Sequence, residues 1–379
     1  MCNFFITRLY QPLLIVIGIY CSLLLSTSYA SEIKNTNTLE SLWEEVLQNP
    51  TNVEANIDYA LEAEALGFHD RAIAAFRRAL SIDPKNALAR RKTDHLIDLN
   101  RPGVISGTLI LGTSYNTNAS QASTNEKGDK ALSNTIVVSG DRNLFGMRWK
   151  SSFINFADAH TELRGSDINY TSIKTGPSLN ISNGNKINIS ANIETTTINS
   201  DLDSYSFGIM GDTSFMDGLI KNLDYGFKFV EGHSEGSISY FNGFLASSLH
   251  IGSGIIQEND AIQLQPSFSF NINKKGFDSS GSRDRLINLS SSLDYTLQIS
   301  DIRSVNLFTS PSYSYYLKHR TTDSKDRMDL SAEIGGSFNY SISSSVTFTI
   351  SLGREQNFSN FNEFEYTNYH AESSLVYTF

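Results

Sequence analysis

From about Ser106 onward, apolar and polar residues alternate with period two over segments of roughly ten residues, separated by turns of Asn, Asp, Gly and Ser. In Leu286 to Ile299, the residues Ile287, Leu289, Leu293, Tyr295, Leu297 and Ile299 share one face, and Asn288, Asp294, Thr296 and Gln298 share the other. The pattern recurs in Lys186 to Thr196, Leu223 to Val230, Ile262 to Ile272 and Met328 to Tyr340. One face suits lipid and the other water, as expected of strands that cross an outer membrane. A soluble sandwich would also alternate, so the connections have to decide.

About fourteen such segments can be counted, and their links alternate in length. Gly140 to Asn143, Ser182 to Asn185, Ser300 to Arg303 and Ser341 to Ser345 are short. Thr117 to Lys130, Ala157 to Asp167, Asn273 to Asp284 and Lys318 to Lys325 are long. If strand one starts at the periplasm, every short link falls on the periplasmic side, as in outer-membrane barrels. The expected fold is therefore a closed antiparallel β-barrel of about fourteen strands, because in hydrocarbon every backbone N–H and C=O needs a partner within the protein. A barrel of that size is too wide for side chains alone to fill, so a polar lumen or a plug is implied. The alternation lapses near Ile173 and near Asn368, where a change of register is expected.

The segments before the barrel differ in composition. Residues 1–30 combine Arg8, an apolar run from Leu13 to Leu25 and the small-residue pattern Ser28-Tyr29-Ala30, which reads as a secretory signal cleaved after Ala30. A membrane anchor from Pro12 to Ala30 is the alternative. A lipid attachment at Cys21 fits less well, because Tyr20 precedes it. Both cysteines, Cys2 and Cys21, fall in this segment, so the remainder carries no thiol for disulfides, nucleophilic catalysis or metal binding. A net charge of −10 argues against a nucleic-acid partner.

Residues 31–100 are rich in Ala, Leu, Glu and Arg and are expected to be helical and periplasmic, with the barrel in 101–379. Gly67 separates two helices, an earlier one runs from Leu39 to Gln48, and a last one from Ala87 to Leu99. Pro50 and Pro84 stand 34 residues apart, the tetratricopeptide period. Ala72, Phe76, Ala79 and Pro84 resemble the second-helix consensus of that family, while Asn56 and Ala60 depart from its first-helix consensus. An ordinary helical hairpin would use the same alanines for close packing. A unit of this size cannot bury its apolar face alone and needs a neighbour.

The final residues, Leu375, Tyr377 and Phe379 on one face, resemble the C-terminal signal that the barrel-assembly machinery recognises. Signal, helical repeat and barrel together resemble the surface lipoprotein assembly modifiers, and the run Leu109 to Ala119 is similar to the strand that follows the repeats in that family. The resemblance implies that the barrel exports or displays a secreted or lipid-anchored client protein engaged by the helical segment. Exopolysaccharide exporters, which an aromatic or acidic lumen lining would favour, and passive porins are the other transport readings. A monomer in the outer membrane is expected, in contact with lipid.

Catalytic chemistry finds little support in the sequence. Gly232-His233-Ser234-Glu235-Gly236 matches a nucleophile-elbow pattern, but it joins two antiparallel strands and lacks the strand-to-helix turn that such a nucleophile requires. With His250 it makes a barrel hydrolase the least favoured reading. The histidines show no metal spacing, so neither metal nor cofactor is expected. Arg148, Lys150, Glu194, Lys228, Asp294, Asp329, Glu333 and Glu372 are expected to face the lumen, since a charge facing lipid at the midplane costs about 2–4 kcal/mol.

Overall fold

The computed structural model describes residues 36–379 except 125, 145, 164–166, 182–184, 217, 234–238, 254–259, 274–285 and 318–325. The signal-like segment 1–30 lies outside the described residues. The chain divides into two compact units between Leu96 and Ile97.

The first unit holds α1 (Thr36–Gln48), α2 (Val53–Ala65), α3 (His69–Ile82) and the start of α4 (Ala87–Asn100). The Asn52 side chain caps α2 by accepting from the amides of Glu54 at 2.9 Å and Ala55 at 3.3 Å. Gly67, at φ +81°, ends it, and the amides of Phe68 and Gly67 bond back to the carbonyls of Ala63 and Glu64. Ala60, Ala63, Ala72, Ala75, Phe76 and Ala79 are fully buried, so α2 and α3 bring mostly alanines to their buried faces, with the large rings of Phe76 and Tyr59. Asn56 is also fully buried, and its Nδ2 donates to the carbonyls of Pro50 at 3.1 Å and Asn52 at 2.8 Å. The position thus ties α2 to the preceding turn, a role that the usual aromatic could not perform.

The second unit is a closed barrel of antiparallel neighbours: β1 (Val104–Asn116), β2 (Asp129–Leu144), β3 (Met147–His160), β4 (Ile168–Asn180), β5 (Lys186–Ile198), β6 (Asp201–Ser214), β7 (Ile220–Gly232), β8 (Tyr240–Ser253), β9 (Ala261–Asn273), β10 (Leu286–Ser300), β11 (Arg303–Tyr316), β12 (Arg327–Ser341), β13 (Val346–Ser359) and β14 (Tyr366–Thr378). β1 pairs with β14 from Thr108↔Thr378 to Asn116↔His370, which removes the sheet edges. Strands of 13 to 16 residues exceed the roughly 9–11 that a tilted strand needs to cross the hydrocarbon.

The register fixes the faces. Phe207, Phe229 and Phe241 stand opposite one another on β6, β7 and β8, and Leu289 pairs with Phe268 and Tyr313. Phe207, Phe241, Leu289, Phe268 and Tyr313 are exposed and Phe229 half-buried, with Phe227 on the same face exposed to 70% of its surface, as a lipid-facing belt requires. Tyr115, Tyr205, Tyr313 and Tyr369 stand near one rim of this face and Trp149, Tyr340 and Tyr377 near the other, the positions of interfacial girdles. On the opposite face of the same strands, Arg148, Ser172, Asn188, Asn192, Glu194, Ser206 and Asp329 are buried although polar.

Four local expectations change. β2 continues through Gly140 to Leu144, so the link to β3 begins later than Gly140. Asn199 and Ser200 join β5 to β6 at the rim of the long links, so one short link breaks the alternation; both residues have positive φ, as a two-residue hairpin demands. Pairing runs unbroken through Ile173 and through Asn368. The hydrophobic pattern lapses there because outward positions are polar: Asn155 donates to Asn169 at 2.9 Å and Thr171 at 3.0 Å, and Thr113 bonds Ser373 at 3.1 Å. Satisfied by one another, these groups keep their place on the lipid side at reduced cost. Register shifts occur instead at Thr196/Thr197, Ile220/Asn222, His250/Gly252 and Gln298/Ser300.

Candidate functional site

The lumen is built from every second residue of the strands, so its chemistry follows from the register. All eight charges expected there occupy the face opposite the lipid belt: Arg148 and Lys150 of β3 alternate with Trp149 and Phe153, and Glu333 of β12 alternates with Ile334. Glu194, Lys228, Asp294, Asp329 and Glu372 follow the same alternation on β5, β7, β10, β12 and β14.

Their surroundings differ. Arg148, 2% exposed, donates to both carboxylate oxygens of Asp141 at 3.1 and 2.7 Å and to the carbonyls of Arg101 and Pro102 at 2.6 and 2.9 Å. It bolts the chain entering β1 to β2 and β3. Glu194 accepts from Lys228 Nζ at 2.8 Å, Asn192 Nδ2 at 2.8 Å and Ser206 Oγ at 2.9 Å. Lys228 reaches it across Gly208 of the intervening strand, which stands directly beside it without a side chain. Asp329 is held by Arg327 and by Ser359 Oγ at 2.7 Å, and the Arg327 guanidinium lies over the rings of Phe364 and Tyr316. Asp294 accepts from Ser292 at 3.2 Å. Glu333 stands opposite Glu355 and 3.3 Å from His370 Nε2.

The alternation also places Asp141, Lys174, Lys186, Asp212, Asp224, Glu355 and His370 on this face. The sequence reasoning passed over these residues, although parity along each strand would have found them. The resulting lumen has two walls. Lys150, Lys174, Lys186 and Lys228 lie within β3 to β7, interspersed with Glu194, Asp212 and Asp224, whereas β10 to β14 carry Asp294, Asp329, Glu333, Glu355 and Glu372 against Arg327 and His370. Serines connect the walls: Ser267 with Ser290 and Ser312 with Ser331 form hydroxyl pairs, each at 2.6 Å, beside a cavity of about 630 Å³ that Glu333 and Glu355 also line. Phe156, Tyr170, Phe244, Phe308 and Tyr366 share the lumen face.

The other singled-out residues lie elsewhere. Ala72, Phe76 and Ala79 form the buried face of α3, and Pro84 follows that helix. Leu375, Tyr377 and Phe379 are exposed on the lipid side, opposite Leu111, Leu109 and Gly107. His233 donates its amide to Asp203 and rests its ring on Tyr205, His250 lies on β8, and Ser234 is outside the described residues. Among the described residues no group of three His, Cys, Asp or Glu side chains is arranged to hold a metal ion.

The closed fourteen-strand barrel, with an aliphatic and aromatic exterior and a hydrophilic interior, belongs to the outer-membrane class. Solved structures similar to it include an anion-selective porin from Comamonas acidovorans, at 10% identity and TM-score 0.38 over 73% of this chain and 99% of that one. A bacterial polysaccharide outer membrane secretin gives 12% identity and TM-score 0.37 over 72% and 98%, and OprB of Pseudomonas putida 6% and 0.42 over 76% and 96%. No protein-family model matches the chain. No curated protein matches it.

Proposed function

We propose that this chain is an outer-membrane conduit through which a hydrophilic polymer reaches the cell surface, and that the polymer is a glycan. The carrying observation is the lumen lining. Serine hydroxyls between the walls and lumen-facing rings such as Phe308 and Tyr366 are the hydrogen-bonding and aromatic surface that suits a polyhydroxylated chain. No covalent chemistry is required; the helices before the barrel engage the cargo from the periplasm. Deleting the gene tests this reading: surface glycan should fall while the exported protein set stays constant. Unchanged surface glycan removes it.

A second reading, delivery of a secreted or lipid-anchored client protein, is favoured by the first unit. Its tetratricopeptide-like α2 and α3 leave Phe68 and Ile82 exposed, and α1 leaves Leu47 exposed, the kind of apolar surface that a polypeptide segment covers. Surface labelling of the deletion strain separates the two, because only this reading expects one protein to vanish from the surface.

A further inference from the structure

Among the described residues the strands direct Arg148, Lys150, Lys174, Lys186, Lys228 and Arg327 into the lumen, and four of these are engaged by carboxylates. Arg148 is held by Asp141, Lys186 by Asp98 at 3.3 Å, Lys228 by Glu194 and Arg327 by Asp329. Lys150 and Lys174 have neither an ion pair nor a hydrogen bond among the described residues, and both line one cavity of about 470 Å³. They are diagonal neighbours, since Lys150 stands opposite Gly176 and Lys174 opposite Ser152. Gly176 faces Ser190 so closely that a Cβ there would lie 1.9 Å from the Ile189 carbonyl. The pit between the two ammonium groups is therefore kept free of a side chain by the backbone approach itself.

The carboxylates nearest the pit form no ion pair with its lysines among the described residues. Asp141 serves Arg148 and Arg101, Asp212 accepts from Asn188 Nδ2, and the charge of Asp224 acts on Lys174 from a distance without pairing with it. Asn188 lines the same cavity, is 2% exposed, and its Oδ1 has no hydrogen-bond partner. A buried acceptor left without a donor is unfavourable, and among the described residues the pit offers neither a carboxylate paired with its lysines nor a hydrogen bond made to its carboxamide oxygen. A bare carboxylate supplies the first and not the second. A carboxylate carrying neighbouring hydroxyls supplies both, and Ser139, Ser152 and Ser190 add further hydroxyl partners around it.

We propose that the Lys150–Lys174 pit is a subsite for an acidic sugar residue of the transported glycan, its carboxylate between the two ammonium groups and a hydroxyl donating to Asn188. The assignment rests on the glycan reading above and gives it a chemical class. An acidic peptide segment is the competing occupant.

The test uses the full chain purified in detergent, where binding is read by calorimetry and does not depend on passage. Short oligoglucuronate should bind, neutral oligoglucose of the same length should not, and oligoglutamate should bind at least about tenfold more weakly than oligoglucuronate. Lys150→Met and Lys174→Met should each weaken oligoglucuronate about tenfold or more, Lys150→Arg should retain it, and Asn188→Ala should weaken it less than either lysine change. Folding of each variant is checked by its heat-dependent gel mobility, with Lys174→Gln as the substitute if a methionine variant fails to fold. No oligoglucuronate binding, binding indifferent to the lysine changes, or oligoglutamate bound as tightly as the sugar each overturns the subsite. A wild-type protein that binds the sugar in detergent, in a cell whose surface glycan survives the deletion, keeps the subsite and rejects the export reading.

Discussion

Gly107 and Phe379 exchange both of their backbone hydrogen bonds, each at 3.0 Å, and so extend the β1–β14 seam beyond the Thr108↔Thr378 pair. The Phe379 ring folds over the glycine: a Cβ on Gly107 would lie 2.3 Å from its Cζ. Gly107→Val should therefore expel the ring from the seam, and the fraction of barrel that keeps its folded, fast-migrating form in unheated gels should drop several-fold. Phe379→Ala should do less, because the two backbone bonds survive. Equal folded yields for Gly107→Val and wild type would dispose of the idea.

The Arg148 bolt predicts a larger effect on stability. Removing one partner of a buried pair leaves the other charge uncompensated, at about 3–5 kcal/mol. Arg148→Met strips Asp141 of two donated bonds and the carbonyls of Arg101 and Pro102 of theirs, although Arg101 still reaches Asp141 at 2.5 Å. A loss of about 2–4 kcal/mol in urea unfolding from vesicles is expected, near the low end because one cation remains. Asp141→Asn added to Arg148→Met should recover part of it. An Arg148→Met variant that unfolds at the wild-type midpoint would show the bolt to be idle.

How much of this was legible in the sequence depends on which part of the physics is local. Alternation is local, so the barrel, its strand count and the side of the eight chosen charges could be read from segments such as Leu286 to Ile299. The lapses at Ile173 and Asn368 misled because a polar residue on the lipid side looks like a slip of register until its partner is known. Asn155 finds Asn169 and Thr171 on the neighbouring strand, a pairing that no single strand displays. The same limit hid the lysine pit. Lys150 and Lys174 look like any alternating lysine, and only the register shows that they are diagonal neighbours beside one cavity with no carboxylate paired to either among the described residues.

The carboxylates of β12 to β14 are expected to bias the lumen toward cations. Glu333 and Glu355 are direct cross-strand partners, Glu372 lies on the next strand's lumen face, and Arg327 is already claimed by Asp329. A low-dielectric wall bearing one sign of charge raises the local concentration of counter-ions. In planar bilayers with a potassium chloride gradient, the wild-type chain should prefer cations. The triple change Glu333→Gln, Glu355→Gln, Glu372→Gln should move the reversal potential toward zero, and high salt should shrink the difference. An unchanged reversal potential would mean that ions pass along another wall.

The helical unit offers a test that leaves the barrel alone. Phe76 is fully buried, as are Ala60, Ala63, Ala72 and Ala79 on α2 and α3. Alanines cannot move in to fill the space it would vacate, because their methyl groups already lie on helices in close approach. Phe76→Ala should therefore cost about 3–5 kcal/mol, more than a unit of this size can spare. The helical signal in far-UV circular dichroism should melt well below that of wild type, while the barrel's strand signal and its gel mobility persist. If the strand signal were lost together with the helical one, the two units would fold as one, and the division between Leu96 and Ile97 would carry no energetic meaning.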